Sequence, residues 1–483
     1  MSDTHLATDR AARKTETRPP TATGPSPLRR NIRNGTAAAG LLLSAAIGPF
    51  VDGATLWGLT PIVLYAALAL LGMDIMVATV TAIVSALLIL QPNPKGIGDM
   101  LGSSLADPVT MIGLVIMLGA GVGEVLRTTG VAATIVRGVM RLVGETNRTA
   151  VTFGVILSCL VLVASLGTLA GALAIAAPLL LPIVARLGFT RSATASMMFI
   201  GGCAGLALAP FAGSNVAIMD AAEVGYLKYL LYGAGPLAVL SVIAGLLITP
   251  WMQRRTENTG DDYEGEGFDE EDGPGDRRSS RATAAFGIVL VASVVYAIIS
   301  EAGTAFPLLA LPAMGVAAGL AGGLTPTEVA KTMYAGAGRL VDVFLLFWLL
   351  AALFLAVDGL APFEVILDTW GDSLGGLSPF VFALVIALLG WVGVPGATAA
   401  QVVLLDQVFG SLAGDVGVGV GAWVIVLLFA SKADTYGPFP NANMVGSMGL
   451  ARSTRLNNMI LTGFLVLIPV CVMYAGILLV ETL

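Results

Sequence analysis

Apolar stretches of about 17 to 25 residues, each long enough to cross about 30 Å of hydrocarbon as a helix, recur along this chain from Thr36 to Leu479. A chain of this kind must place most of its mass in lipid. Its 56% hydrophobic and 12% charged residues and mean hydropathy of +0.87 lie far beyond an average soluble domain. A β-barrel would alternate polar and apolar residues over roughly ten-residue segments, and that pattern is absent. The expected fold is therefore an all-α polytopic membrane protein.

Membrane segments are expected near 36–50, 57–71, 74–90, 108–126, 150–166, 167–185, 192–219 and 230–250. A second set follows near 283–299, 305–322, 340–357, 378–394, 395–412, 418–449 and 458–480. This divides the chain into a disordered cytoplasmic tail (1–35), an N-terminal transmembrane half (36–251), an acidic linker (252–282) and a C-terminal transmembrane half (283–483). The tail shows no apolar core ending in a small-residue cleavage site, so it does not read as a signal peptide. The run from Asp261 to Asp276 contributes to the formal charge of -7 and reads as a solvated spacer.

Lys and Arg accumulate in cytoplasmic loops because positive charge resists translocation. Threading the segments from a cytoplasmic N-terminus gathers most cations on one side, from the tail through Arg127, Arg148, Arg186, Arg191, Arg254 and Arg339 to Arg452 and Arg455. Lys95 and Lys228 fall outside and Lys432 falls within a span. The expected location is the inner membrane, with the C-terminus outside.

Helical continuity fails at matching places. Ser165-Leu-Gly-Thr168 and Ala209-Pro-Phe-Ala-Gly-Ser-Asn215 interrupt the first half; Gly393-Val-Pro-Gly-Ala-Thr398 and Tyr436-Gly-Pro-Phe-Pro-Asn-Ala-Asn443 interrupt the second. Gly and Pro at this density unwind a membrane helix. Pro210, Phe211 and Asn215 fall on Pro438, Phe439 and Asn443 at one offset of 228 residues (Pro210 to Pro438). With the topology above, the two blocks run in opposite directions, which predicts two inverted structural repeats with re-entrant hairpins, discontinuous helices and one extra N-terminal helix.

Paired broken helices in two inverted halves point to a transporter binding site, since helix ends offer free N–H and C=O groups to ions. Ser165, Thr168, Ser214, Asn215, Thr398, Asn441 and Asn443 cluster at the breaks as candidate substrate-binding residues; the alternative is that they satisfy backbone freed by the kinks. Lys432 and Asp434 lie within a long span, where an ionisable residue is costly and usually functional. Lys432 is read as a fixed cation for an anionic substrate, and Asp434, with Asp406, as the ion-coupling group. Two residues apart on a continuous helix they point apart, so the nearby break is expected to bring Lys432 and Asp434 together. Glu124, Asp358, Asp220 and Glu223 are expected at solvated helix ends or external loops.

The only histidine, His5, lies in the tail, and Cys159, Cys203 and Cys471 lack metal-ligand spacing. No catalytic dyad, metal centre or cofactor is implied, apart from sodium or protons as coupling ions, so the chain does not read as an enzyme. A membrane-embedded transferase lacks its nucleophile, base or metal here, and a channel fits discontinuous inverted repeats less well than a carrier does.

The stretches Ala164 to Gly171 and Val392 to Thr398, with the breaks at Pro210 to Asn215 and Pro438 to Asn443, resemble the ion transporter superfamily, which includes gluconate permeases, anaerobic dicarboxylate carriers, citrate carriers and sodium/proton antiporters. The resemblance covers most of residues 57 to 480 by architecture. It implies an alternating-access cycle, often in a homodimer, that moves small organic anions with protons or sodium. The Ser-Asn-Thr triplet of sodium-coupled dicarboxylate carriers is missing from both hairpins. The expected function is thus a secondary transporter of a small carboxylate, with a sodium/proton antiporter without organic substrate as the alternative. The expected partners are the substrate, the lipid bilayer and a second copy, with no nucleic acid.

Overall fold

The computed structural model describes residues 27–144, 147–263, 277–300, 305–362, 365, 369, 378–392, 398–437 and 441–483. Apart from one isolated β-bridge, Thr190 with Asp262, the regular structure among these residues is helical. The first half comprises α1 (Pro27–Ile47), α2 (Thr60–Leu70), α3 (Ile75–Leu90), α4 (Pro94–Ser104), α5 (Pro108–Thr128) and α6 (Val131–Val143). It continues with α7 (Arg148–Leu166), α8 (Leu169–Arg186), α9 (Arg191–Leu208), α10 (Gly213–Ala221) and α11 (Gly235–Thr256). The second half holds α12 (Arg277–Ile299), α13 (Pro307–Ala321), α14 (Pro326–Ala337), α15 (Val341–Asp358), α16 (Pro379–Leu389), α17 (Thr398–Asp415), α18 (Val420–Tyr436), α19 (Ala442–Leu450) and α20 (Leu456–Glu481). Seven helical runs among the described residues are long and apolar enough to cross a membrane, or eight if the bent pair α9–α10 counts as one. The protein is a multi-pass membrane protein.

Several boundaries differ from the sequence reading for identifiable reasons. Helix α1 begins at Pro27, inside the stretch expected as tail, because proline is preorganised for a first turn and arginine is a good helix former. Helices α4, α6 and α14 were not expected, since a search for continuous apolar runs passes over short amphipathic helices. Their starts are nevertheless marked: Asn93 caps α4 and Thr325 caps α14 in a capping box with Glu328, each followed by proline.

Shifted by 228 residues, α8, α9 and α10 land within one residue of the starts of α17, α18 and α19. Helix α1 has no counterpart among the described residues. The repeat is inverted: the start of α9 shares one end of the molecule with the end of α19 and the start of α20, where Ser192 meets both Asp261 and Asn458, and Arg455 meets Asp261. At the opposite end, Gly421 at the start of α18 adjoins Tyr232, just before α11, and Glu481 at the end of α20. The contacts are exchanged reciprocally, α10 packing on α17 and α19 on α8.

Two bodies result. A frame gathers α1–α5 with α12–α15, centred on α5. A core body gathers α7–α11 with α16–α20, bound across the halves by Ser196 with Thr462 and Ser241 with Tyr436, both 2.7 Å. Helices α7 and α9 approach backbone to backbone: a Cβ on Gly201 would lie 2.4 Å from the Ile156 carbonyl oxygen, and one on Gly205 2.3 Å from that of Leu160. This small-xxx-small spacing permits the contact. Gly205→Ala should therefore destabilise the detergent-solubilised protein by about 1–3 kcal/mol in thermal unfolding. Gly98→Ala, on α4 with open space around it, should be neutral or gain up to about 1 kcal/mol.

Candidate functional site

The first break is held by a set of side-chain donors. Helix α9 ends at Leu208, α10 starts at Gly213, and the pair bends by 41°. Asn215, 3% exposed, donates its amide to the carbonyls of Leu206 (2.7 Å), Ala207 (3.2 Å) and Ala209 (2.8 Å). The Tyr229 hydroxyl donates to Ala207 at 2.9 Å and the Tyr226 hydroxyl to Leu208 at 2.5 Å. The carbonyls that a helix end leaves orphaned thus find donors within the protein. Asn215 was expected as a ligand contact; its amide nitrogen is committed to backbone, and Ser214 lies 3.4 Å from its remaining oxygen. The two tyrosines lie outside the Gly/Pro pattern, and the sequence reading missed them.

The hairpin α7–α8 turns at Gly167, whose φ of +68° is the left-handed cap glycine allows. Its Cβ position lies 3.6 Å from the Ala212 Cα, so the hairpin tip touches the break and α10 continues beyond it. Ser165 donates to Val161 within its own helix at 2.7 Å, and half-buried Thr168 precedes α8 without a side-chain capping bond. Each of α7 and α8 is itself long enough to cross a membrane, longer than a short re-entrant loop requires. In the second half, Gly393–Pro395 and Pro438–Pro440 lie outside the described residues, and Thr398 opens α17.

The second break is built differently. Helix α18 runs to Tyr436, and Gly437 has φ +67°. Asn441 caps α19 by accepting from Met444 N–H at 2.9 Å, and its amide reaches the Thr435 carbonyl at 3.4 Å. Half-buried Asn443 sits in the first turn of α19. Lys432 is 5% exposed, close enough to Cys203 on α9 for its charge to act there. The backbone of α18 is continuous through Lys432 and Asp434, with the break beyond both, so the break does not swing the two onto one face as expected. The Asp434 side chain lies outside the described residues.

Asp406, on α17, accepts from the Trp423 indole N–H at 2.9 Å. Asp220 and Glu223 act electrostatically on it from the end of α10. Asp220, in the last turn of α10, and exposed Glu223, in the loop that follows it, line a cavity of about 420 Å³ between core body and frame, with Pro210 and Phe211 of the first break, Tyr226, Lys228, and Val294 and Ile298 of α12. No group of three His, Cys, Asp or Glu among the described residues is placed to hold a metal ion. The wall thus carries two carboxylates and one ammonium group.

At the arginine-rich end, Glu124 is 8% exposed rather than solvated, bound by Arg127 and by Arg339 at 3.0 Å from the α14–α15 junction. The start of the acidic run is likewise no free spacer. Asp261, 3% exposed, accepts from Ser192 N–H at 3.0 Å and pairs with Arg455 at 3.5 Å, while the Tyr263 hydroxyl donates to Ala451 at 2.8 Å. Asp358 is exposed at the end of α15, as expected.

Asn215→Leu should strip the Leu206 and Ala209 carbonyls of their side-chain donor, Ala207 keeping Tyr229, costing about 1–3 kcal/mol each as an upper bound and lowering the unfolding temperature by several degrees. Asp261→Ala should also destabilise, by about 1–3 kcal/mol. An unchanged unfolding temperature in Asn215→Leu would instead free Asn215 for contact with a ligand.

Comparison with known proteins agrees with this geometry. A model of the Na+/H+ antiporter family matches residues 11–251. The crystal structure of the YdaH transporter from Alcanivorax borkumensis, noted for an unusual topology, matches with a TM-score of 0.60 at 15% identity, covering 93% of this chain and 98% of that one. No curated relative matches the sequence. At that identity the likeness is one of fold, and together with the family match over the first half it supports reading the chain as a secondary transporter.

Proposed function

We propose that the protein exchanges sodium for protons across the inner membrane by alternating access, with the arginine-rich end in the cytoplasm and the C-terminus outside. The observation that carries this reading is the carboxylate-lined vestibule ending on the first helix break, within the part of the chain that resembles Na+/H+ antiporters. With two carboxylates against Lys228 the lining carries a net formal charge of one negative unit, which favours cations over organic anions at the mouth. A carboxylate that takes either a proton or a sodium ion couples the two fluxes, because each competitor must leave before the other binds. Asp434 is the residue assigned that role, with Asp406 beside the vestibule as the intermediate acceptor.

Buried Lys432 favours a second reading, in which a small carboxylate is carried and Lys432 balances its charge. The two separate in proteoliposomes with a pH dye inside. A sodium gradient alone, without organic solute, should drive proton movement in wild type, and Asp434→Asn should reduce the rate at least about tenfold, as loss of an essential proton-transfer group does. Proton movement that appears only when a carboxylate is added, and disappears in Lys432→Ala, would replace exchange by anion transport.

A further inference from the structure

A cleft of about 210 Å³ opens at the arginine-rich end between the start of α7, the α8–α9 connection and the end of α11. Its polar wall holds Arg148, Thr149, Thr152, Gln253, Arg254 and Glu257. Arg148 is partly used: it donates to the carbonyls of Leu187 (3.0 Å) and Gly188 (3.2 Å), pairs with Glu257 at 3.3 Å and lies over the Phe189 ring. Gln253 is fully used, accepting from Thr190 N–H and donating to Gly188. Two groups remain uncommitted. Arg254 is exposed, with no ion-pair or hydrogen-bond partner among the described residues. Thr152 lines the cleft at 3% exposure, and its hydroxyl likewise has no partner among the described residues.

The cleft continues into apolar surface. The apolar wall is Leu246 and Pro250. Beside it, Val239, Ile243, Leu247 and Trp251 recur every four residues as an exposed apolar stripe down α11. Trp251, with Arg255 over its ring, sits at the top of that stripe, where an amphipathic ring marks headgroup depth. Two arginines against one glutamate, an unpaired hydroxyl and a greasy track running away from them match a phosphodiester carrying acyl chains.

We propose that this cleft binds the phosphate of an anionic phospholipid, held by Arg254, the Thr152 hydroxyl and the free N–H groups of Arg148, with its chains along the α11 stripe. Delipidated protein titrated with phosphatidylglycerol or phosphatidylcholine, with retained lipid counted by native mass spectrometry, tests it. Wild type should retain phosphatidylglycerol about tenfold better, and Arg254→Gln and Thr152→Val should each erode that preference. Arg254→Gln should unfold at the wild-type temperature when lipid-free, so loss of fold is not the cause. Equal retention of both lipids, or an unchanged preference in Arg254→Gln, overturns the proposal. So does displacement of phosphatidylglycerol by millimolar inorganic phosphate, which would make the cleft a site for free anions.

Discussion

A helix broken inside lipid leaves carbonyl and N–H groups where no water can reach them, at a cost of several kcal/mol each. The rest of the core body is arranged around removing that cost. At the first break one asparagine and two tyrosines reach back to four consecutive carbonyls, Leu206 to Ala209. Those donors fix where α10 and the turn before α11 must lie. They also fix the cavity, because Tyr226 both caps Leu208 and lines the wall shared with Asp220 and Glu223. The hairpin tip at Gly167 can approach Ala212 closely because the break beside it is already satisfied.

The polar cross-links are distributed unevenly. Ser196 with Thr462, Ser241 with Tyr436, and the Asp261 cluster tie the two halves inside the core body. Glu124 with Arg339 ties them inside the frame. Where α10 meets the frame, the contact is Gly213 against Ile116, apolar and close. Alternating access requires surfaces that can slide or hinge without breaking buried hydrogen bonds, and an apolar seam between two internally bonded bodies meets that requirement.

Much of this was legible in the sequence, for a physical reason. Breaks inside apolar runs are written in Gly and Pro, and a repeat in register shows as a constant offset, so the discontinuous helices and the inversion could be read from Pro210 and Pro438 outward. Three things were not legible. Amphipathic helices such as α6 carry no apolar run to find. Burial of Asp261 and Tyr263 depends on partners near 192 and 451–455, far away in sequence, while composition alone describes a solvated run. An amide at a break serves equally well as ligand or as cap, and the capping role shows only in the positions of the carbonyls, as it does for Asn215.

The two breaks occupy equivalent positions yet have diverged. At the first, neutral donors close the helix end: Asn215 is committed, and no ionisable residue shares its last turn. At the second, the capping amide of Asn441 stands 3.4 Å from its carbonyl, and the last turns of α18 carry Lys432 and Asp434. Their counterparts at the 228-residue offset are Ala204 and Leu206. Inversion makes the halves equivalent as scaffolds, but a titrating site needs charge at one place only, and a second charged break would add its own desolvation penalty. On the proposed exchange reading, the repeat supplies the geometry twice and the chemistry once, with the vestibule in the first half and the exchanging group in the second.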